Sequence, residues 1–151
     1  MEKTQLAAVA AALAPGAEVT GEKQFVEISV TPDQLVTVAL SLKQNEETSL
    51  DLLVSVTGMD WGTDLGTVYH LRSTVHNHMI VLKTRVSDRV NPEIDSLSPL
   101  YPAAEFHERE VYDLLGIKFR NHPDLRRLFL DSTWGFPLRK DYKDEVNIVL
   151  K

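Results

Sequence analysis

Residues 108–142 read EREVYDLLGIKFRNHPDLRRLFLDSTWGFPLRKDY, and the fold turns on how this stretch divides. The spacing predicts a helix that starts near Pro102 and stops at Gly116, a natural left-handed terminus. Ala103, Ala104, His107, Val111, Leu114 and Leu115 share one side of it, the side expected to pack on a sheet. Glu105, Arg109 and Asp113 follow at i, i+4 and i+8 on another side, where each exposed neighbouring pair is worth about 0.2–0.5 kcal/mol. A solvated, self-paired charge row is the ordinary reading of such spacing. Glu108, Arg109 and Glu110 also flank both edges of the apolar stripe. That placement suits docking of a basic segment, with Arg126, Arg127, Arg139 and Lys140 as counter-charges.

From Ile117 onward little regular structure is expected. Pro123, Gly135 and Pro137 forbid one long helix. Yet Leu125, Leu128, Phe129, Leu130, Trp134, Phe136, Leu138 and Tyr142 are too apolar for a solvated linker, so the tail must lie along something. The expectation is a divided role, with the stretch through Leu130 on its own domain and residues 134–142 on a partner. His122 before Pro123 and Asp124 reads as a structural turn.

Upstream, residues 4–14 form a helix with Leu6, Val9, Ala10 and Leu13 on one face, ended by Pro15 and Gly16. Residues 17–31 suggest two short strands around a turn at Gly21, Glu22 and Lys23, with Val26, Ile28 and Val30 on one face. Thr31 is placed to cap a second helix, with Pro32 first and Gln34 completing a capping box. That helix runs to about Gln44 and buries Leu35, Val38, Ala39 and Leu42. Strands follow over 50–56, 67–76 and 78–86, with Asn77 in a tight hairpin. Residues 90–102 read as irregular. The organisation is a compact unit over 1–117 and an extended tail over 118–151 belonging to the same domain.

A chain of 151 residues fits one domain, which buries roughly two-thirds of its unfolded surface. Hydrophobic content of 43% and charged content of 25% are ordinary for a globular protein. There is no run of eighteen apolar residues, so direct membrane insertion is not expected. Glu2 and the lack of a basic leader favour an amphipathic first helix over a signal peptide. Zero cysteines exclude disulfides, thiolate catalysis and cysteine-held clusters. The net charge of -6 is uneven: residues 1–117 hold 8 Lys/Arg against 17 Asp/Glu, whereas residues 118–143 hold 7 against 3. A basic segment on an acidic body marks an interaction surface, and the acidic body argues against nucleic acid.

Catalytic readings fare poorly. Glu108 and Glu110 are two apart on a helix, so their carboxylates diverge rather than face a substrate. His76 and His78 form an HxH with no third ligand signalled. Gly58, Gly62 and Gly66 are too widely spaced for a phosphate cradle. A free-standing hydrolase or metal enzyme using His107, Glu108, Glu110 and His122 is the rival class.

The stretch Glu108, Arg109, Glu110, Asp113, Gly116, Ile117, Phe119, His122, Pro123, Asp124, Leu125, Arg126, Arg127, followed by Trp134, Gly135, Pro137, Leu138, Arg139, Lys140, Asp141 and Tyr142, resembles the signature of the respiratory complex I 30 kDa subunit family, the C subunits of NADH-quinone oxidoreductase. Glu105-Phe106 stands where members often carry Asn-Trp, and His107 where they carry an apolar residue. The resemblance implies an α+β fold, a single two-layer domain with helices on one face of a mixed sheet. It implies a non-catalytic scaffold subunit on the cytoplasmic face of the membrane. Such a subunit docks on the quinone-site large subunit and supports the iron–sulfur small subunit. It holds no cofactor itself; NADH, FMN, iron–sulfur clusters and quinone belong to other subunits. Glu108, Arg109, Glu110, Asp113, His122, Asp124, Arg126, Arg127, Trp134, Arg139, Lys140, Asp141 and Tyr142 are then the partner-binding residues. An equivalent subunit of a membrane-bound nickel–iron hydrogenase or formate hydrogenlyase is the close alternative.

Overall fold

The structure, a computed structural model, describes residues 2–21, 24–130 and 135–142. It opens with α1 (Lys3–Leu13), whose first turn is closed by a reciprocal capping box between Glu2 and Gln5. Leu6 and Ala10 are its buried residues. Next come β1 (Glu18–Thr20) and β2 (Val26–Val30), paired antiparallel, with Val26, Ile28 and Val30 buried as the alternation predicts. The turn expected between them falls partly on residues outside the described ones.

The second helix, α2 (Leu35–Gln44), starts three residues later than its sequence suggests. Gln34 N–H bonds Thr31 O and Leu35 N–H bonds Pro32 O, so the segment from Thr31 is a tight turn and no capping box forms. Gln34 instead sends its side-chain amide to Pro15 O, 3.4 Å away. Leu35, Val38, Ala39 and Leu42 are buried, as expected.

Three long strands complete the sheet: β3 (Leu52–Asp60), β4 (Leu65–Ser73) and β5 (His78–Val86). The sheet order is β1-β2-β5-β4-β3, with β2 and β5 parallel and the other pairs antiparallel. β3 runs to Asp60, well past the expected end, with a register shift between Leu53 and Ser55. Gly58 within it lets the next helix come close. A Cβ there would sit 2.4 Å from Leu115 Cδ1. The β4–β5 connection is wider than a two-residue hairpin. It spans Thr74–Asn77, closed by Asn77 N–H to Ser73 O, with Asn77 at φ 54°.

The segment read as irregular contains β6 (Glu93–Asp95), and a strand, β7 (Lys118–Arg120), follows where none was expected. They pair parallel, Ile94 opposite Phe119. Between them lies α3 (Ala104–Leu115), ended by Gly116 at φ 75°. The inward residues of helices and sheet form one core cluster that includes Ile28, Leu35, Tyr69, Leu82, Val111 and Phe119. Phe25, Met59, Val68, His70 and Lys83 line an open depression on the opposite sheet face. The fold is therefore α+β, a single domain with a mixed sheet and helices on one face.

Candidate docking surface on the third helix

The charge row on α3 is not solvated. Glu108 and Asp113 are fully buried and Arg109 nearly so, whereas Ala103, expected to face the sheet, is exposed. His107 and Leu114 are half-buried. The side facing the sheet is Ala104, Glu108, Val111 and Leu115. Arg109 and Asp113 do not pair with each other along the helix; both turn to the segment beyond β7, which lies on them as a strap.

Asp113 is the main anchor. Its Oδ1 accepts from Arg127 Nε at 2.6 Å, and its Oδ2 from the backbone N–H groups of Phe129 (2.8 Å) and Leu130 (3.1 Å). Burial works to raise this carboxyl, but the Arg127 and backbone hydrogen bonds outweigh it and hold it below the ordinary carboxylate range. Arg127 also donates to Asp113 O (2.7 Å) and Gly135 O (2.8 Å), so one guanidinium stitches both halves of the strap to the helix. Arg109 donates to the carbonyls of Arg126 and Arg127, each at 3.2 Å. His122 Nε2 meets Glu105 O at 3.0 Å while its Nδ1 accepts from Asp124 N–H, which fixes the tautomer and makes the expected turn.

The far end of the strap closes over the end of α3. Leu138 N–H bonds Leu114 O (3.0 Å), and Arg139 donates to Leu115 O (2.6 Å) and Arg89 O (3.0 Å). Phe136 lies under both Arg127 and Arg139, whose guanidinium carbons are 5.3 and 5.2 Å from its ring centre. Gly116 is needed here for two reasons: its φ of +75° and a phantom Cβ only 2.6 Å from Phe136. Asp60, at the end of β3, takes a fork from Arg89 (2.7 and 2.8 Å) and the N–H of Lys140 (2.8 Å). The Arg89 hydrogen bonds hold its carboxyl far below the ordinary range despite burial. Asp141 lies 3.6 Å from Arg89. The division expected at Leu130 is thus corrected: residues 135–142 also lie on their own domain, because α3 ends in unpaired carbonyls that Leu138 and Arg139 satisfy.

What remains outward is a mixed surface. Phe106, Phe129 and Leu138 are large apolar side chains left exposed. Glu110, Asp124, Arg126, Lys140 and Asp141 are exposed as well. Val56, Gly58, Glu110, Leu114 and Leu138 border a small cavity of about 170 Å³ between α3 and β3. Tyr142 is half-buried, and Trp134 lies outside the described residues. Sequence reasoning missed Asp60 and Arg89, which belong to the same network; only their charge marked them, and they lie far from the signature.

The rival catalytic set does not converge. Glu108 points to Ser96 and Leu97, Glu110 to solvent, and His122 to backbone groups. His76 and His78 stack with ring centres 5.5 Å apart, and each Nε2 meets a carbonyl of the 46–48 loop. Among the described residues no group of three or more His, Asp or Glu is placed to hold a metal ion. No helix among them is long and apolar enough to cross a membrane.

In this small α+β domain the buried charges of the signature are largely spent on pinning the strap to its own domain, with Phe106, Phe129 and Leu138 left exposed. Residues 28–146 match the family described as the respiratory-chain NADH dehydrogenase 30 Kd subunit, and the chain belongs to that family. It is similar to the C/D subunit of NADH-quinone oxidoreductase from Phocaeicola vulgatus, 48% identical over 122 residues, which covers 80% of this chain and 23% of that protein. It is also similar to the C subunit of the same enzyme from Roseiflexus castenholzii, 41% identical over 145 residues, covering 91% of this chain and 82% of that one. Among solved structures it resembles a chain of the membrane-bound sulfane sulfur reductase, an archaeal respiratory membrane complex. That match has a TM-score of 0.81 and 25% identity, over 95% of this chain and 86% of that chain. The chain spans about a quarter of the length of the C/D relatives it matches.

Proposed function

We propose that this chain is a scaffold subunit of a proton-translocating NADH-quinone oxidoreductase, with no active site of its own. It docks on the quinone-site large subunit and supports the iron–sulfur small subunit from the cytoplasmic face of the membrane. NADH, FMN, iron–sulfur clusters and quinone are then held by other subunits. The observation that carries this reading is the family match over residues 28–146, which takes in the whole strap and its anchors. The C/D relatives support it further, because there the matching region is one part of a much longer protein.

Within the signature the roles separate. Arg109, Asp113, Arg127 and Arg139 shape the strap from inside, Glu108 binds the Ser96–Leu97 segment, and Glu110, His122, Asp124, Arg126, Lys140, Asp141 and Tyr142 meet the partner beside Phe106, Phe129 and Leu138. Trp134 is assigned to the partner side by sequence alone. Exposed charges around an apolar centre are the usual make-up of a protein–protein interface. A second reading is an equivalent subunit of a membrane-bound nickel–iron hydrogenase or formate hydrogenlyase; its support is that the solved relative belongs to a respiratory membrane complex of another kind, a sulfane sulfur reductase.

Affinity purification of the tagged chain from gently solubilised native membranes tests both. Co-purification of subunits with NADH-quinone reductase activity is the expected result. Co-purification with a hydrogenase would select the second reading, and recovery of the chain alone would contradict both.

A further inference from the structure

The sheet-facing side of α3 carries an acid where a packed helix ordinarily carries a hydrocarbon. Glu108 is wholly enclosed. Its Oε1 accepts from the Ser96 hydroxyl and the Leu97 N–H, both at 2.9 Å. Its Oε2 is also buried and has no hydrogen-bond partner among the described residues. Three hydroxyls on the inward face of the sheet are in the same condition: Tyr69 and Thr67 on β4, and Thr84, the β5 residue directly across from Thr67. Tyr69 is close enough to Glu108 to feel its charge. Buried oxygens without partners are costly.

The charged groups around the acid do not neutralise it. Glu105 on the same helix repels its anion, and Asp95 on β6 adds negative charge near Tyr69. The cations on adjoining elements are engaged elsewhere. Arg109 binds the strap carbonyls, Arg120 pairs with Asp95 at 2.8 Å, and Lys43 bonds Leu100 O. An ionised carboxylate here would be a buried anion with one oxygen unpaired, whereas a protonated one is neutral and far less costly to enclose.

We propose that Glu108 carries its proton on Oε2 in the folded chain, forming a closed proton-holding site on the sheet-facing side of α3 near Tyr69. When that proton leaves to solvent, Oε1 keeps its Ser96 and Leu97 bonds and the bare anion faces the core. Burial pushes the Glu108 carboxyl up to about 7, which places this exchange in the neutral range. The strap anchors sit on the same helix, one to five residues away, so the site makes the mounting of the docking surface sensitive to pH.

Infrared spectroscopy of the full chain tests this directly, through the carbonyl stretch of a buried protonated carboxylic acid. The band is expected at mildly acid and neutral pH, fading about two pH units above neutrality. It should vanish in Glu108→Gln, and in Glu105→Gln, which removes the repelling neighbour, it should fade at lower pH. The pH titration of the unaltered chain stands even if Glu108→Gln folds poorly. A spectrum showing only carboxylate at every pH above the ordinary glutamate range would overturn the proposal. So would a protonated band that persists unchanged in Glu108→Gln.

Discussion

Asp113→Ala removes the anchor of the strap, and the structure sets the size of the effect. The carboxylate is fully buried and accepts three hydrogen bonds, from Arg127 and the N–H groups of Phe129 and Leu130. Alanine leaves the mostly buried Arg127 guanidinium without its counter-ion and two backbone donors without acceptors. Breaking a buried pair by deleting one partner costs about 3–5 kcal/mol. Part of this is recovered if the strap lifts and its donors reach water, so a loss of about 3 kcal/mol is the expected value. Against a total stability of about 5–15 kcal/mol, the domain stays folded but its midpoint in urea falls clearly. Trypsin then cleaves after Arg126 and Arg127 faster than in the unaltered chain, because the strap opens before the core does. A shift below about 1 kcal/mol with unchanged proteolysis, the behaviour of a surface ion pair, would refute the assignment.

Gly116→Ala places a side chain in left-handed backbone and against the Phe136 ring; a loss of about 1–2 kcal/mol from the backbone alone should appear in thermal melts, with more if the ring cannot move. Arg126→Ala should change stability by less than about 0.5 kcal/mol, since its ion pair with Asp124 is exposed, yet weaken co-purification of the complex. The pH profile of stability should fall on both sides of a mildly acid maximum. Asp60 and Asp113, held low in the fold, contribute stability that is lost as pH drops through and below the ordinary value of 3.8. Glu108, raised from 4.5 to about 7, contributes stability present below pH 4.5 and lost as pH rises to about 7, a fall of about 3 kcal/mol at most. Melts of Glu108→Gln should lose that second slope; an identical profile would count against it.

Local signals were readable in the sequence where the physics is local. The buried faces of α1 and α2, the alternation of β2, the bounds of β5 and the Gly116 stop follow from periodicity and backbone chemistry within a few residues. The short parallel pair β6–β7 was not readable, because three-residue strands joined across a helix leave no periodic trace. The capping box expected at Thr31 lost to the tight turn at Pro32, and Gln34 found a partner nineteen residues away.

Within the signature the spacing on α3 was legible, but the direction in which its charges face was not. Spacing placed Glu105, Arg109 and Asp113 in one row, but charge rows do not reveal burial. The strap inverted that row by bringing backbone donors and Arg127 onto it. Asp60 and Arg89 joined the site through tertiary contact alone, some fifty to eighty residues from their partners in the strap.

Cross-linking mass spectrometry of the gently solubilised native complex, read from the lysines of this chain, tests whether the strap face meets the other subunits. Lys140 sits at the exposed end of the strap beside Leu138, while Lys83 sits on the opposite sheet face. Links are expected from Lys140 to other subunits of the complex, foremost the large subunit of the quinone site. Links to other subunits from Lys83 alone, with Lys140 joined only to its own chain, would contradict that expectation.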